Sequence, residues 1–386
     1  MSLARFQFLL ELCRFDDKTT REERKKKDKF AAFRGIWDKF VDNCSRYFSP
    51  THYVTIDETL FGFRGRCPFK MYLPSKPDKY GMKVISLVDA KFFYFCGGIP
   101  YVGKEITKKK GDLCVPTQYV LKLIEQLNGS GRNITADNWF SSIEVVAELQ
   151  KKRLTFVGTM RKNKPQIPPS FLAQAPVSTS RFAYQDDKMM VAYSPKKNKE
   201  VVLVSSMHYD GVVNDDSKLP EIIEFYNVTK GGVDVLDKLC HPYTTKRKTN
   251  RWPMRYFCAV LDIAAVNSSV LHKWNVDKEP YPSTLRSTFL KSLAIDLATT
   301  WMEKRFSNQH LPRSLRMIIG EQLGKQMDTP AASSIDRRTK KKRRCDSYTK
   351  DRKGNSYCSK CGNSLCGEHK VMVCPGYSAR SDEIEL

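Results

Sequence analysis

Apolar residues recur every three to four positions at the start of the chain. Phe6, Leu9, Leu10 and Cys13 share one helical face. After a charged stretch at 21–29, Phe30, Phe33, Ile36, Trp37, Phe40, Cys44 and Phe48 keep the same period. That spacing predicts packed amphipathic helices up to about residue 50. The rhythm changes at Pro50. Residues 52–57, 83–88 and 92–96 are β-type runs, the third ended by Gly97-Gly98. They predict an antiparallel meander. Helix and strand then alternate: a helical pattern at 116–127, a short strand at 133–136, a helix at 143–152 and a strand at 154–158. The capping box Ser141-x-x-Glu144 opens that second helix. Three antiparallel strands followed by αβαβ is the element order of an RNase H-like fold, so the expected class is α/β.

The next segment breaks the alternation. Pro165, Pro168, Pro169 and Pro176 exclude a long helix, and residues 181–184, 189–193 and 201–205 predict small strands. Residues 161–220 therefore read as an inserted β subdomain. Residues 224–227 lead into Gly231-Gly232 and a helix starting near Val233. Helix returns over 253–305, with Pro253 in the first turn. Tyr256, Val260, Ile263, Val270 and Trp274 form one stripe; Leu285, Phe289, Leu293 and Leu297 form a second. A polar linker at 323–344 ends in the basic run Arg337-Arg338-Thr339-Lys340-Lys341-Lys342-Arg343-Arg344, which has the character of a nuclear-import signal. No internal repeat appears.

Charge narrows the function. The 386 residues hold 66 Lys and Arg against 42 Asp and Glu, a net charge of +24. Such a surplus points to a polyanionic partner. No apolar run reaches the roughly 18 residues of a membrane-spanning helix, and no lipid anchor or basic amphipathic helix favours a membrane surface. The first residues lack a secretory signal, so the 12 Cys are expected in a reducing compartment and unpaired. Five of them, Cys345, Cys358, Cys361, Cys366 and Cys374, fall in the last 42 residues, a clustering that suggests metal. Neither a Walker-type phosphate loop nor a serine nucleophile elbow is present, and no small-molecule substrate is expected.

The carboxylates carry the candidate chemistry. Asp57 ends the first strand in Thr55-Ile56-Asp57-Glu58, and Asp137 follows a later strand in Thr135-Ala136-Asp137-Asn138. Asp234 and Asp237 stand one helical turn apart and share a face. In the expected sheet the first and fourth strands are neighbours, which brings Asp57 beside Asp137, and the helix bearing Asp234 closes the cluster. Three carboxylates in one place repel unless cations join them. Mg²⁺ suits such a set, and two such ions can clamp the attacking and leaving oxygens of an in-line phosphoryl transfer. Taken singly, an Asp at a strand end or helix start is more often a cap or turn residue, and Asp89 and Asp112 are read that way.

The words around these aspartates resemble the piggyBac transposase family. The first runs from Thr55-Ile56-Asp57-Glu58 through Gly62-Phe63-Arg64-Gly65-Arg66-Cys67-Pro68 to Ser75-Lys76-Pro77. The others are Asn133-Ile134-Thr135-Ala136-Asp137-Asn138-Trp139-Phe140-Ser141-Ser142, Lys230-Gly231-Gly232-Val233-Asp234-Val235-Leu236-Asp237 and Arg247-Lys248-Thr249-Asn250-Arg251-Trp252-Pro253-Met254. They keep the family's order and similar separations. The resemblance implies an RNase H-like core at 53–160 and 221–243, with the insertion at 161–220. It implies helical DNA-binding and dimerisation parts at 1–52 and 244–322, and a Cys-rich cross-brace zinc module at 345–377. It implies cut-and-paste DNA transposition at TTAA through hairpin ends. Its triad falls on Asp57, Asp137 and Asp234, with Asp237 accessory. Double-stranded DNA is then the partner, the chain a homodimer and its compartment the nucleus. The family usually carries a further region before the segment matching residue 1, so the resemblance also implies an N-terminally shortened copy.

Two basic segments are candidates for holding phosphates. Arg64, Arg66, Lys70 and Lys76 follow the first aspartate in a Gly- and Pro-rich loop. Lys246, Arg247, Lys248 and Arg251 lie beside Trp252 at a helix start, where free amides also favour phosphate. Trp139 reads equally as a core plug. In the tail, the cross-brace assigns Cys345, Cys366 and His369 to one zinc and Cys358, Cys361 and Cys374 to the other. Tyr348 and Tyr377 stand where the family has Cys, so each site lacks one of the four ligands a structural zinc takes. The leading expectation is a DDD-type transposase or a domesticated derivative. The alternative is a catalytically inactive DNA- or chromatin-binding protein that keeps the fold.

Overall fold

A computed structural model of the protein describes residues 3–74, 76–103, 112–173, 175–276, 285–308 and 310–325, and in the tail 343–344, 353–354, 356–357, 363–366 and 368. The chain forms two compact units, Met1–Leu290 and Lys291–Leu386.

The first unit opens with helices α1 (Leu3–Leu12), α2 (Arg21–Lys27) and α3 (Arg34–Tyr47). No residue of α1 is buried, so its expected apolar face is not a core face here. Phe30 and Phe33 are fully buried, but they lie in the turn before α3. Asp28 builds that turn: its carboxylate accepts from the Phe30 amide at 2.8 Å and pairs with Arg34 at 2.8 Å. Trp37 on α3 is 1% exposed and packs edge-on against Phe30, Phe95 and Tyr256.

The main sheet begins with β1 (Tyr53–Gly62), β2 (Met71–Tyr72), β3 (Tyr80–Asp89) and β4 (Phe95–Pro100). β3 pairs antiparallel with both β1 and β4, which is the expected meander. Gly97-Gly98 does not end the third long strand but lies inside it. The reason is close packing: the Trp37 indole donates to Gly98 O at 2.9 Å, and a Cβ on Gly98 would come within 2.8 Å of the Phe95 ring. Residues 92 and 93 turn instead, held by Asp89. Its Oδ1 accepts from the Lys91 and Phe92 amides and its Oδ2 from Thr51, the turn role expected of it.

Then come α4 (Val115–Leu123), β5 (Asn133–Ala136), α5 (Ile143–Lys151) and β6 (Thr155–Met160). β5 runs parallel to β1 and to β6. The first and fourth long strands are thus neighbours. The cap of α5 is Ser142, whose hydroxyl accepts from Val145 N at 3.1 Å. This corrects the expected box: Glu144 accepts from Cys114 N and the Thr117 hydroxyl, tying α5 to α4. Segment 161–220 supplies β7 (Ser180–Gln185), β8 (Lys188–Lys196) and β9 (Lys199–Ser205). β9 pairs antiparallel with β6, so these strands prolong the same sheet, whose order is β2-β3-β1-β5-β6-β9-β8-β7 with β4 on β3.

Helices α6 (Glu221–Thr229) and α7 (Gly232–Cys240) follow, then α8 (Trp252–Val276). Residues 252–275 are long and apolar enough to cross a bilayer by composition, but most of this stretch is buried in the protein, through Tyr256, Ala259, Val260, Ile263 and Val266. α9 (Arg286–Phe306) passes into the second unit. Its expected stripe is not a buried face: Leu285 is 70% and Leu297 78% exposed. α10 (Arg313–Leu323) ends at Gly324, whose φ of 62° closes the helix in the left-handed region. In the tail, residues 343–344 pair with 353–354, and 356–357 pair with 364–365.

Candidate active site and basic surface

Three threonines set the position of the helix that bears Asp234. Thr55 on β1 donates to Thr229 O at 2.6 Å, and Thr135 on β5 donates to the Thr229 hydroxyl at 2.9 Å. The end of α6 is thereby pinned across the two central strands. Gly232 lets α7 start directly against them, because a Cβ there would lie 2.6 Å from Thr55 Oγ1. The first turn of α7 carries Asp234 and the second Asp237, and both act on Lys76 together with Asp57, which lies in the middle of β1 rather than at its end as expected.

Asp57 and Asp137 follow adjacent positions of a parallel register, since Ile56 pairs with Ala136. Burial pushes the Asp57 carboxyl up to about 7; the charge of Asp137 adds to this, while the Glu58 amide, 2.7 Å from Oδ1, and Lys76 oppose it. Asp137 is raised by burial as well, against the Trp139 amide, which donates to its Oδ1 at 2.8 Å. Burial lifts Asp237 to about 6, with Lys76 opposing and Asp234 adding. Asp234 itself is 69% exposed at its side chain. Carboxylates held at such high proton affinity are the mark of crowded negative charge in partly dry surroundings.

Lys76 answers that charge. Its Nζ is 3.5 Å from Asp234 Oδ1, and its proton is held more tightly than usual: burial opposes this, but Asp57, Asp234 and Asp237 outweigh it. Its partner in the structure is thus a carboxylate, where the sequence suggested a phosphate. Hard carboxylate oxygens suit Mg²⁺ chemically. Their spacing here does not: among the described residues, no group of three or more His, Cys, Asp or Glu side chains is placed to hold a metal ion. The lysine ammonium supplies the positive charge in this arrangement.

The two basic segments meet. Lys246 pairs with Asp78 at 3.1 Å, and Arg255 donates to Gly62 O at 3.2 Å, which draws 244–251 onto the loop after β1. Arg64, Arg66, Lys70, Arg247 and Lys248 are exposed there, and Lys70 also donates to Gly65 O. Arg251 and Trp252 have partners within the chain. The Arg251 guanidinium donates to the carbonyls of Leu10, Glu11 and Cys13 at the end of α1. Trp252 stacks on Phe30 and meets Phe69 edge-on.

A profile described as Transposase IS4 matches residues 1–269. A solved piggyBac transposase synaptic complex with hairpin DNA superposes with a TM-score of 0.84 at 37% identity, covering 97% of this chain and 80% of that one. The chain belongs to the piggyBac-type Transposase IS4 family. Human PiggyBac transposable element-derived protein 3 is 26% identical over 271 residues, 66% of this chain and 45% of that protein. Human PiggyBac transposable element-derived protein 2 is 22% identical over 296 residues, 70% of this chain and 48% of that protein. The chain therefore spans less than half the length of these human relatives.

Within this piggyBac-type frame, three charged residues escape the sequence reading. Glu58 and Lys83 pair at 3.3 Å beside the aspartates, and Lys83 lies 4.5 Å over the Trp139 ring. Trp139 is thus partly packed, against Phe140 and Lys83, rather than a full core plug. Arg161 donates to Asn138 at 3.2 Å and offsets the charge of Asp137. The signal for Arg161 was its place just after the fifth long strand; a lysine inside an apolar strand gives Lys83 away only once its neighbours are known. Of the expected zinc ligands, Cys366 is buried, while Cys345, Cys358, Cys361, His369 and Cys374, like Tyr348 and Tyr377, lie outside the described residues.

Proposed function

We propose that the chain is a DDD-type DNA transposase, or a domesticated derivative, that cuts and joins DNA at TTAA through hairpin ends. The observation that carries this is the parallel register that sets Asp57 beside Asp137, with Lys76 acting on Asp57 and on both Asp234 and Asp237 of α7, and with the proton affinities of Asp57, Asp137 and Asp237 raised. A strand order in which three antiparallel strands join two parallel ones supports the RNase H-like assignment. The solved relative is a complex with hairpin DNA, and the net charge of +24 suits the same partner here. Arg64, Arg66, Arg247 and Lys248 are the residues we assign to phosphates. Mg²⁺ is the ion we assign to the aspartates, on the affinity of hard carboxylate oxygens for it alone. Homodimerisation, the nucleus as compartment and tail zinc belong to the same proposal.

The second reading is a DNA-binding protein that keeps the fold without cleavage. The spacing of the carboxylates, with Lys76 among them, favours it. Incubation with Mg²⁺ and a hairpin-ended duplex bearing TTAA separates the two. Hairpin opening supports the transposase; tight binding with intact hairpins supports the second reading.

A further inference from the structure

Lys83 is an anomaly for a buried strand residue. It is 6% exposed, and its side chain shares a face with that of Glu58, two positions from its cross-strand partner Leu60. Its ammonium lies 3.3 Å from Glu58 Oε2, 4.5 Å from the Trp139 ring centre and 5.6 Å from that of Tyr101. A nearly buried ammonium paired with a half-buried carboxylate is rarely the most stable filling of such a space, because the lysine loses most of its water. Stability alone does not account for it.

The two residues it touches have a common property. The Glu58 amide donates to Asp57 Oδ1 at 2.7 Å, and the Trp139 amide donates to Asp137 Oδ1 at 2.8 Å. One ammonium thus joins the side chains of the two residues whose amides aim the two aspartates. Glu58 is drawn by charge, Trp139 by the attraction of a cation to an aromatic face. Lys83 also offsets the charge of Glu58 that acts on Asp137.

We propose that Lys83 is a positioning residue that fixes Asp57 and Asp137 relative to each other by clamping Glu58 to Trp139. It touches neither aspartate through a hydrogen bond of its own, and its action passes through the two amides.

The test compares the full-length chain with Lys83→Met, Lys83→Arg and Glu58→Gln. Hydrogen exchange is read at the Trp139 amide, with thermal melting as control. Lys83→Met should speed exchange at that amide about tenfold or more, the scale of removing a supporting partner, while amides in α3 and β6 keep their rates. Lys83→Arg should restore most of the protection, since a guanidinium also pairs with a carboxylate and stacks on indole. On hairpin DNA, Lys83→Met should lower kcat with KM unchanged, and adding Glu58→Gln should cost no more, because the two act as one unit. Unchanged exchange at Trp139 in Lys83→Met, or an equal rise across all strands, overturns the proposal. If Lys83→Met does not fold, Glu58→Gln carries the same exchange test, as it removes the charge and keeps the shape. The kcat arm alone rests on the transposase reading: a wild-type chain that leaves hairpins intact refutes that reading, while the exchange arm still decides on Lys83.

Discussion

Lys76 reaches from the loop after β2 to within 3.5 Å of Asp234 Oδ1, and its charge acts on Asp57 and Asp237 as well. Because Asp234 is largely exposed, water screens this pair, and it is worth less than about 1 kcal/mol by itself. Its consequence is competition. Lys76→Ala removes the counter-charge shared by Asp57, Asp234 and Asp237. Mn²⁺, used as a probe in calorimetry without DNA, should then bind about three to ten times more tightly, the effect of one partly screened charge. Equal affinity in both proteins would show that Lys76 does not neutralise the cluster.

The basic surface predicts a division among arginines. Replacing Arg64, Arg66, Arg247 and Lys248 by Ala should weaken duplex binding and flatten its salt dependence, by about 0.9 in the log–log slope for each phosphate no longer neutralised. Arg251→Ala should instead lower the melting temperature, since its guanidinium caps the carbonyls ending α1. Fluorescence anisotropy across a salt series, paired with melting curves, reads both. A large drop in slope from Arg251→Ala alone would return that residue to the DNA surface.

Gly232 is required by close packing rather than by backbone angle. Gly232→Ala adds a methyl 2.6 Å from Thr55 Oγ1. Although Ala favours helix, the clash should destabilise the protein by about 1–3 kcal/mol and shift α7 from the strands. Urea unfolding measures it, and a gain in stability would contradict the packing.

His208 predicts an acid-sensitive contribution. It is 7% exposed, its Nδ1 lies 2.8 Å from the Ser205 hydroxyl, and burial lowers its proton affinity, partly offset by Glu221. The folded chain therefore takes up this proton less readily than the unfolded one. As pH falls through about 6.5 the unfolded chain is protonated first, and stability drops until the lower folded value is passed. His208→Gln should flatten the loss of melting temperature between pH 7 and pH 5. Equal slopes would assign the acid sensitivity elsewhere.

Local pattern and resemblance together made much of this legible. The strand at 133–136 and the adjacency of Asp57 and Asp137 follow from β-type runs in a known order. What pattern missed depends on neighbours far along the chain. Gly97-Gly98 reads as a strand end until Trp37 of α3 is placed over it. Arg251 and Lys248 look alike in sequence, yet one meets the carbonyls of α1 and the other faces water. The stripe on α9 has helical period but no buried residue, because period marks a face and not its partner. Glu58 and Lys83 are separated by a whole hairpin, so only the sheet register joins them.

The proposed function requires Asp57, Asp137 and Asp234 to form one chemical centre acting on DNA. The most direct measurement is hairpin opening by the wild type and by Asp57→Asn, Asp137→Asn and Asp234→Asn, each shown to bind the same duplex with wild-type affinity. The wild type should open the hairpin in Mg²⁺, and each single substitution should abolish opening while binding persists. Opening that survives any one of the three substitutions would contradict it.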